Sequence, residues 1–255
     1  MGGLTVANAV KKTLPDERIV YFGDSAHLPY GDKSAATIQA YSVKICDVLL
    51  QQGCKVILIA CNSASAAAYE LIKAYVGSKA LVLNVIDPVV QYISNAHADK
   101  KIGLIGTKQT VGSKVYSTKL KAQNSRIELA SLATPLLVPM IEEGFYKNEI
   151  SDQIIGQYLE NPVLENIEAL ILGCTHYPLI KKQVNDFFKS KVEVIDSSLI
   201  VANTLKELLI NKDLLSNRTE EPDKFLVSDF TPSFQAAAEL FFQRKIELEK
   251  HVLWE

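Results

Sequence analysis

Two cysteines occupy matching places in two similar stretches of the sequence. Residues 56–63 (VILIACNS) resemble residues 169–176 (ALILGCTH), because each stretch has an apolar run, a small residue, a cysteine and two polar residues. The apolar runs are typical of buried strands, and helix-like patterns follow them. We interpret the two stretches as related strand–turn–helix units, which present Cys61 and Cys174 at the carboxyl ends of their strands.

The position of these thiols favours chemistry. In open α/β sheets, ligands bind beyond the carboxyl ends of strands. A thiol at a helix N-terminus also lies near free amides and the helix dipole, which stabilise its thiolate. Asn62 or Ser63 can cap the helix after the first cysteine, and Thr175 can cap the helix after the second. We therefore expect two acidic thiols that face one cleft, whereas Cys46 and Cys54 are expected to be structural.

Three uses of such a pair remain open from the residues alone. A disulfide would suit a redox protein, although there is no Cys-x-x-Cys sequence. A metal ion could bind Cys61, Cys174 and His176. The third use is proton transfer at one carbon, in which one thiolate removes a proton and the opposite thiol returns one, so that the centre is inverted. This third chemistry would explain why the sequence repeats itself.

Alternating strand and helix patterns position these residues. Several strands are apolar at nearly every position, as parallel strands covered on both faces are. The alternation predicts an α/β fold with right-handed crossovers. We predict strands at residues 18–22, 55–60, 80–86, 101–105, 126–129, 169–172, 192–195 and 225–227, and helices at 4–14, 37–51, 65–75, 112–123, 151–158 and 178–188. The amphipathic stretch 233–254 is interpreted as a docking helix.

The composition excludes several classes of protein. The chain has 255 residues, a formal net charge of −2 and 48% hydrophobic residues. These values argue against a disordered chain and against a general nucleic-acid binder, which is usually basic. No apolar stretch approaches the length of a membrane span, and the first residues lack a signal-peptide pattern. Four scattered cysteines suit a reducing compartment, so we expect a cytoplasmic protein.

Five short motifs give the chain a family resemblance that runs nearly from end to end. They are GDSAHLPYG at residues 23–31, ACNSAS at 60–65, GTKQT at 106–110, PMIEE at 139–143 and LGCTHYPL at 172–179. In this order they resemble glutamate racemase, in the aspartate/glutamate racemase family. The two cysteine motifs are the most specific part of the likeness.

The resemblance implies an activity and a set of site residues. The activity is the cofactor-independent interconversion of L- and D-glutamate, which supplies D-glutamate for peptidoglycan, with no metal ion. Cys61 would deprotonate D-glutamate and Cys174 would deprotonate L-glutamate. Glu142 and His176 would assist Cys174. The implied substrate-binding residues are Tyr30, Gly31, Asn62, Ser63, Thr107, Thr110, Thr175 and His176.

The resemblance also implies an architecture. It predicts two similar doubly wound α/β lobes with mainly parallel sheets and an active site in the cleft between them. Residues 1–90 and 200–255 would form the lobe that carries Cys61, and residues 91–199 the lobe that carries Cys174. The expected partners are the small-molecule substrate and a second copy in a homodimer, without nucleic acid or membrane.

The start of the sequence departs from the family pattern. Family members open with a strand and an Asp-Ser-Gly turn before Gly-Gly-Leu-Thr-Val, whereas here Met1 directly precedes Gly2 and Gly3. Glycines before the helix pattern 4–14 are typical of a strand-to-helix turn. We expect a chain that starts at Met1 to be less stable or less active than one extended by about ten residues, roughly a strand and a turn.

Two other functions compete with glutamate racemisation at this point. One is racemisation of aspartate or another amino acid, which substrate screening would distinguish. The other is a non-catalytic protein that holds glutamate or a partner protein. Exchange of the Cα proton with solvent separates catalysis from binding, because binding alone exchanges nothing.

Overall fold

Strands and helices alternate along the chain in the computed structural model, which describes residues 1–124, 126–217 and 221–253. The strands are β1 (Val20–Gly23), β2 (Val56–Ile59), β3 (Leu81–Asn84), β4 (Lys101–Gly106), β5 (Glu128–Ala133), β6 (Ala169–Gly173), β7 (Glu193–Ile195), β8 (Lys224–Val227) and β9 (Leu248–Lys250). The helices are α1 (Gly3–Thr13), α2 (Ala35–Gln51), α3 (Asn62–Val76), α4 (Asp87–Ala96), α5 (Lys108–Gly112), α6 (Val115–Gln123), α7 (Leu137–Glu142), α8 (Glu149–Leu159), α9 (Lys181–Phe187), α10 (Ser197–Asn211) and α11 (Pro232–Phe242). The predicted α/β fold is confirmed.

Parallel pairing holds the strands together. One sheet has the order β5-β4-β6-β7, a second has the order β1-β8-β9, and a third consists of β2 and β3. Because the strands run parallel, their carboxyl ends lie at the same edge of each sheet. Cys174 follows β6 in the four-stranded sheet, and Cys61 follows β2 in the two-stranded sheet.

A cavity separates β1 from β2. Both strands line it, together with residues of α1, α2 and α10. β1 pairs with β8 and β2 pairs with β3, and within the described residues neither strand is bonded to another on its remaining edge. In contrast, β6 is paired on both sides, with β4 and with β7.

Helices cover the sheets with apolar side chains. α1 packs on α10, where Val6 and Val10 join Val201 and Leu205 in one buried cluster. α2 packs on α3, and the core of β4 and β6 is covered by α4 and α6. No helix in the described part of the chain is both long enough and apolar enough to cross a bilayer.

All eight predicted strands are present, but two helix predictions need correction. The pattern at 112–123 is divided, because Lys114 adopts a left-handed backbone (φ 56°) between α5 and α6. The docking helix at 233–254 is wrong beyond its first half. α11 ends at Phe242, left-handed Gln243 follows (φ 60°), and β9 then pairs with the free edge of β8. Residue 254 lies outside the described residues.

Candidate active site

Cys61 lies where β2 ends and α3 begins. Its backbone is extended (φ −146°, ψ 125°), and its carbonyl oxygen accepts a hydrogen bond from the Ser65 amide at 2.8 Å. The thiol therefore lies beside the free amides of the first helical turn. Burial raises the pKa of the Cys61 thiol, and the amides of Ala64 and Ser63, which favour the thiolate, partly oppose that rise.

Cys174 follows β6 directly, at a place where two strands lie very close. A β-carbon on the preceding residue, Gly173, would lie 2.6 Å from Leu104 Cδ1 and 2.8 Å from the Ile105 carbonyl oxygen. Only glycine allows this approach of β6 to β4. The small residue before the cysteine in the sequence motif is thus a packing requirement of the strand end.

The expected helix caps are wrong for both cysteines. Cys61 itself is the cap residue of α3, so Asn62 and Ser63 lie in the first turn. After Cys174 the chain forms a 3-10 helix, Tyr177–Ile180, before α9 begins. Thr175 caps neither, because its hydroxyl donates instead to the carbonyl of Ala60 at 3.4 Å.

Both cysteines line one cavity of about 360 Å³, which continues from the gap between β1 and β2. Its volume is within the range of small-molecule sites. Thr110 lies behind the lining, only 1% exposed. The predicted site residues that line the cavity are Tyr30, Gly31, Cys61, Asn62, Ser63, Thr107, Glu142, Cys174, Thr175 and His176.

Burial dominates the protonation of the two thiols. The pKa of Cys174 is raised to about 12, chiefly by burial and also by a charge on Cys61, although the hydrogen bond from the His176 amide opposes the rise. Burial also raises the pKa of Cys61, by more than the nearby amides lower it. The expectation of acidic thiols is therefore wrong, because desolvation of the thiolate outweighs the helix amides. The free protein holds both as thiols at neutral pH.

His176 connects Cys174 to a carboxylate. Its Nδ1 lies 3.5 Å from Cys174 Sγ, and its Nε2 lies 2.8 Å from Glu142 Oε1. Burial lowers the pKa of His176, while Glu142 raises it; the hydrogen bond from His176 in turn lowers the pKa of Glu142 despite burial. A carboxylate can only accept, so the neutral imidazole carries its proton on Nε2. Nδ1 is then free to accept the proton of the thiol.

Hydroxyl groups gather on the Cys61 side of the cavity. The Ser63 and Thr107 hydroxyls lie 2.9 Å apart, and Thr110 lies 3.1 Å from Thr107 and 3.4 Å from Ser63. Thr107 also caps α5 through the Thr110 amide. Gly31 lies against this cluster, since a β-carbon there would lie 2.9 Å from Thr107. Such groups can donate to an anion without a full positive charge.

Asn62 contributes to the cavity wall a buried polar group that has no partner among the described residues. Its side chain lines the cavity next to Cys61 and is almost fully buried. The Nδ2 atom makes no hydrogen bond within the described residues. Because a buried donor without a partner is costly, this amide group is a candidate donor to a ligand oxygen.

Comparison with known proteins identifies the family. The model of the Asp/Glu/Hydantoin racemase family matches residues 4–205. The chain belongs to this family. The resemblance drawn from the five motifs is thereby confirmed.

Individual relatives carry the likeness over nearly the whole chain. The chain is 37% identical to glutamate racemase of Chlorobaculum parvum over 243 residues, which is 94% of this chain and 89% of the relative. It is 36% identical to glutamate racemase of Neisseria meningitidis serogroup A over 248 residues, covering 97% and 91%.

Solved structures agree. Glutamate racemase from Francisella tularensis, in complex with D-glutamate, matches with a TM-score of 0.92 and 37% identity over 99% of this chain and 94% of that one. Glutamate racemase from Thermus thermophilus matches with a TM-score of 0.87 and 34% identity, over 99% and 93%.

In this family member, sequence analysis did not single out Asp24. Its carboxylate is buried and accepts hydrogen bonds from Tyr30 at 2.6 Å and Ser228 at 2.7 Å, and it lies 2.6 Å from His27 Nδ1. Asp24 thus fixes the Tyr30 ring at the cavity wall. The motif GDSAHLPYG held the signal, because the carboxylate and the phenol lie six residues apart in it.

Gly2 was missed as well. A β-carbon on this residue would lie 2.5 Å from both His176 Nδ1 and Thr175 Oγ1. The nearby Thr5 hydroxyl donates to the Thr175 carbonyl at 2.8 Å. The start of α1 therefore packs directly on the turn that carries Cys174, a contact between distant parts of the chain that no local pattern could reveal.

The residues considered from the sequence as metal ligands, Cys61, Cys174 and His176, are not grouped as a metal site in the described part of the chain. Among the residues that the structure describes, no three histidine, cysteine, aspartate or glutamate side chains are grouped to hold a metal ion. His176 instead uses its two nitrogens toward Cys174 and Glu142.

Proposed function

We propose that this chain interconverts L- and D-glutamate by proton transfer between the substrate Cα and two cysteines, Cys61 and Cys174. The observation that carries the proposal is that the two thiols, from two similar strand–turn–helix units, line the same cavity. The names of the relatives support glutamate as the substrate, and the Francisella enzyme's complex supports binding of D-glutamate.

The reaction balances with these two groups alone. The thiolate of one cysteine takes the Cα proton of a bound enantiomer, and the electron pair stays on the substrate as a carbanion. The thiol of the other cysteine gives its proton to the opposite face, which leaves the mirror-image product and the second cysteine as thiolate. No oxidation occurs, so neither redox partner nor cofactor is needed for the balance.

The raised thiol pKa values suit this task. The Cα proton of an amino acid is a very weak acid, so a thiolate of high pKa in a dry site is a better base than an acidic one. Burial of the site also strengthens each dipole that faces the developing carbanion. The cost is that the thiolate must first be formed.

His176 and Glu142 would form that thiolate on the Cys174 side. Nδ1 of His176 accepts the thiol proton, and Glu142 stabilises the resulting imidazolium through Nε2. Cys61 has a different environment, in which burial raises its pKa while the helix amides and the Ser63 hydroxyl oppose that rise. The two half-reactions would therefore use differently assisted thiols.

Polar donors around the cavity would hold the substrate. The proposed ligands of its carboxylates are the Asn62 amide, the Ser63, Thr107 and Thr175 hydroxyls and the Tyr30–Gly31 turn, with Thr110 supporting from behind. Donors of this kind bind the dianion without a full positive charge. A full charge would stabilise the ground state as much as the transition state and would not lower the barrier.

Other parts of the proposal follow from the family resemblance. The product D-glutamate would supply peptidoglycan synthesis in the cytoplasm, and the protein would act as a homodimer. The lobe with Cys61 would comprise residues 1–90 and 200–255, and the lobe with Cys174 residues 91–199. The sheets β1-β8-β9 and β2-β3 fall in the first range, and the sheet β5-β4-β6-β7 falls in the second.

Serine variants test the two-cysteine reaction. Cys61→Ser and Cys174→Ser should each lower racemisation, followed by circular dichroism, by about 100-fold or more, since a positioned acid–base group contributes that much. Cys54→Ser, a half-buried cysteine, is the control. Two variants that both stay within about tenfold of the native rate, ~1.4 kcal/mol of barrier, would refute the reaction.

Solvent exchange assigns the enantiomers. In heavy water, Cys174→Ser should still exchange the Cα proton of D-glutamate, and Cys61→Ser that of L-glutamate, as read by proton NMR. Exchange of neither enantiomer by the native protein would leave a binding protein instead of an enzyme. Faster turnover of aspartate than of glutamate would change the substrate but keep the mechanism.

A further inference from the structure

Tyr116 makes a buried contact with the residue next to Cys61. It lies on α6 and is 1% exposed, and its hydroxyl lies 2.7 Å from Oδ1 of Asn62, which is 2% exposed. Asn62 begins α3 after β2, whereas α6 belongs to the segment that follows β4. The bond therefore connects elements that pack on two different sheets.

Tyr116 donates this hydrogen bond, and Oδ1 of Asn62 accepts it. The phenol is buried and neutral at physiological pH, so it has a proton to donate. Oδ1 of Asn62 is the acceptor that the described residues offer to that proton. Tyr116 thus donates, and the carbonyl end of the Asn62 amide is occupied.

The other end of the same amide has no partner. Nδ2 of Asn62 is buried without a hydrogen bond among the described residues, and Asn62 lines the cavity. An amide has one accepting and one donating end. When the accepting end is held on α6, the donating end is the one left for a ligand.

We propose that Tyr116 is a positioning residue, which locks the Asn62 amide so that it presents its NH₂ group, and not its carbonyl, to an anionic oxygen of the substrate. This inference rests on the proposed function, in which the substrate carries two carboxylates. Without the hydroxyl, the amide is free to turn over, and its carbonyl then repels a carboxylate. Tyr116 would therefore govern binding through Asn62 without touching the substrate.

The first test is Tyr116→Phe, which keeps the ring and removes the hydroxyl. We expect KM for both glutamate enantiomers to rise roughly tenfold, the size of one lost hydrogen bond to a charged group, while kcat changes less than about threefold. Tyr92→Phe, which removes a hydroxyl bonded to Glu193 at the surface, should leave both constants unchanged.

A double-mutant cycle separates positioning from a general structural effect. In an Asn62→Ala background the amide is gone, so Tyr116→Phe should change KM by less than about twofold. The inference would be overturned if Tyr116→Phe raised KM less than about fivefold in the native background. It would also be overturned if the same substitution raised KM about twofold or more in the Asn62→Ala background. Calorimetric titration with D-glutamate measures binding to the same four proteins whether or not they turn it over, so failure of the proposed reaction remains distinguishable.

A second variant keeps the test decisive if Tyr116→Phe folds poorly. Asn62→Asp retains an oxygen for the Tyr116 hydroxyl but turns an oxygen, instead of NH₂, toward the cavity. It should weaken D-glutamate binding at least about tenfold more than Asn62→Ala does. Binding by Asn62→Asp equal to or tighter than that by Asn62→Ala would show that no donor is needed there.

Discussion

Replacing Glu142 by Gln removes the charge that supports His176 while leaving an oxygen that accepts from Nε2. Glu142 raises the pKa of His176, which burial lowers, so the replacement should lower that pKa further. The imidazolium then forms less readily when Nδ1 takes the proton of Cys174, 3.5 Å away. The step that uses the Cys174 thiolate should become slower.

The magnitude follows from the geometry of the pair. The Glu142 and His176 side chains are 18% and 12% exposed, so solvent screens their 2.8 Å contact only weakly. A hydrogen bond to a charged group contributes about 1.5–3 kcal/mol. Because glutamine keeps the neutral part of that bond, we expect the lower end, which is about a tenfold fall in kcat/KM. The fall must be equal in both directions, since the two enantiomers have the same free energy.

Isotope effects identify which step has slowed. With Cα-deuterated L-glutamate, Glu142→Gln should show a larger primary isotope effect than the native protein, because proton removal by Cys174 becomes more rate-limiting. With Cα-deuterated D-glutamate the effect should shrink. Glu143→Gln, the exposed neighbour, loses the same charge and is the control. A fall below about threefold with both isotope effects unchanged would refute the role of this pair.

Three further predictions concern packing and protonation. Gly2→Ala should lower activity at least about tenfold, because the new β-carbon would lie 2.5 Å from His176 Nδ1 and displace this ring. Gly112→Ala, which has open space around it, should leave activity unchanged and is the control. Equal activities of the two variants would contradict the close contact. Asp24→Asn should lower the free energy of unfolding by about 1–3 kcal/mol in urea, because it disturbs buried hydrogen bonds; an unchanged midpoint would contradict this. The rate constant for alkylation of Cys174 by iodoacetamide should still increase with pH at pH 10, because the pKa of this thiol is about 12. A rate constant that levels off near pH 8 would show that the pKa of Cys174 is lowered instead.

The sequence allowed the framework of the site to be predicted. Eight of the nine described strands were predicted because their apolar runs are continuous, whereas β9 was included in a predicted helix. Both cysteines were expected at strand ends because the apolar runs stop just before them. The repeat of strand, small residue, cysteine and polar pair needed no knowledge of contacts. It led to the residues that line the cavity.

The chemistry of the thiols could not be predicted in the same way. Position at the start of α3 suggested a low pKa for Cys61, but the pKa depends on how much protein surrounds the sulfur, which is a tertiary property. The hydrogen bond from Tyr116 to Asn62 joins residues 54 positions apart. No spacing rule relates two such residues, so their contact became visible only with the fold.

The unequal support of β2 and β6 has a consequence for the two halves of the reaction. β6 is hydrogen-bonded to β4 and β7, so the backbone before Cys174 is anchored on both edges, whereas among the described residues β2 is hydrogen-bonded to β3 alone and also lines the cavity. Local opening begins where fewest bonds must break. Amide hydrogens of Val56–Ile59 should therefore exchange sooner than those of Ala169–Gly173. Thermal motion would then displace the sulfur of Cys61 more than that of Cys174, so one proton-transferring group would be held more firmly than the other.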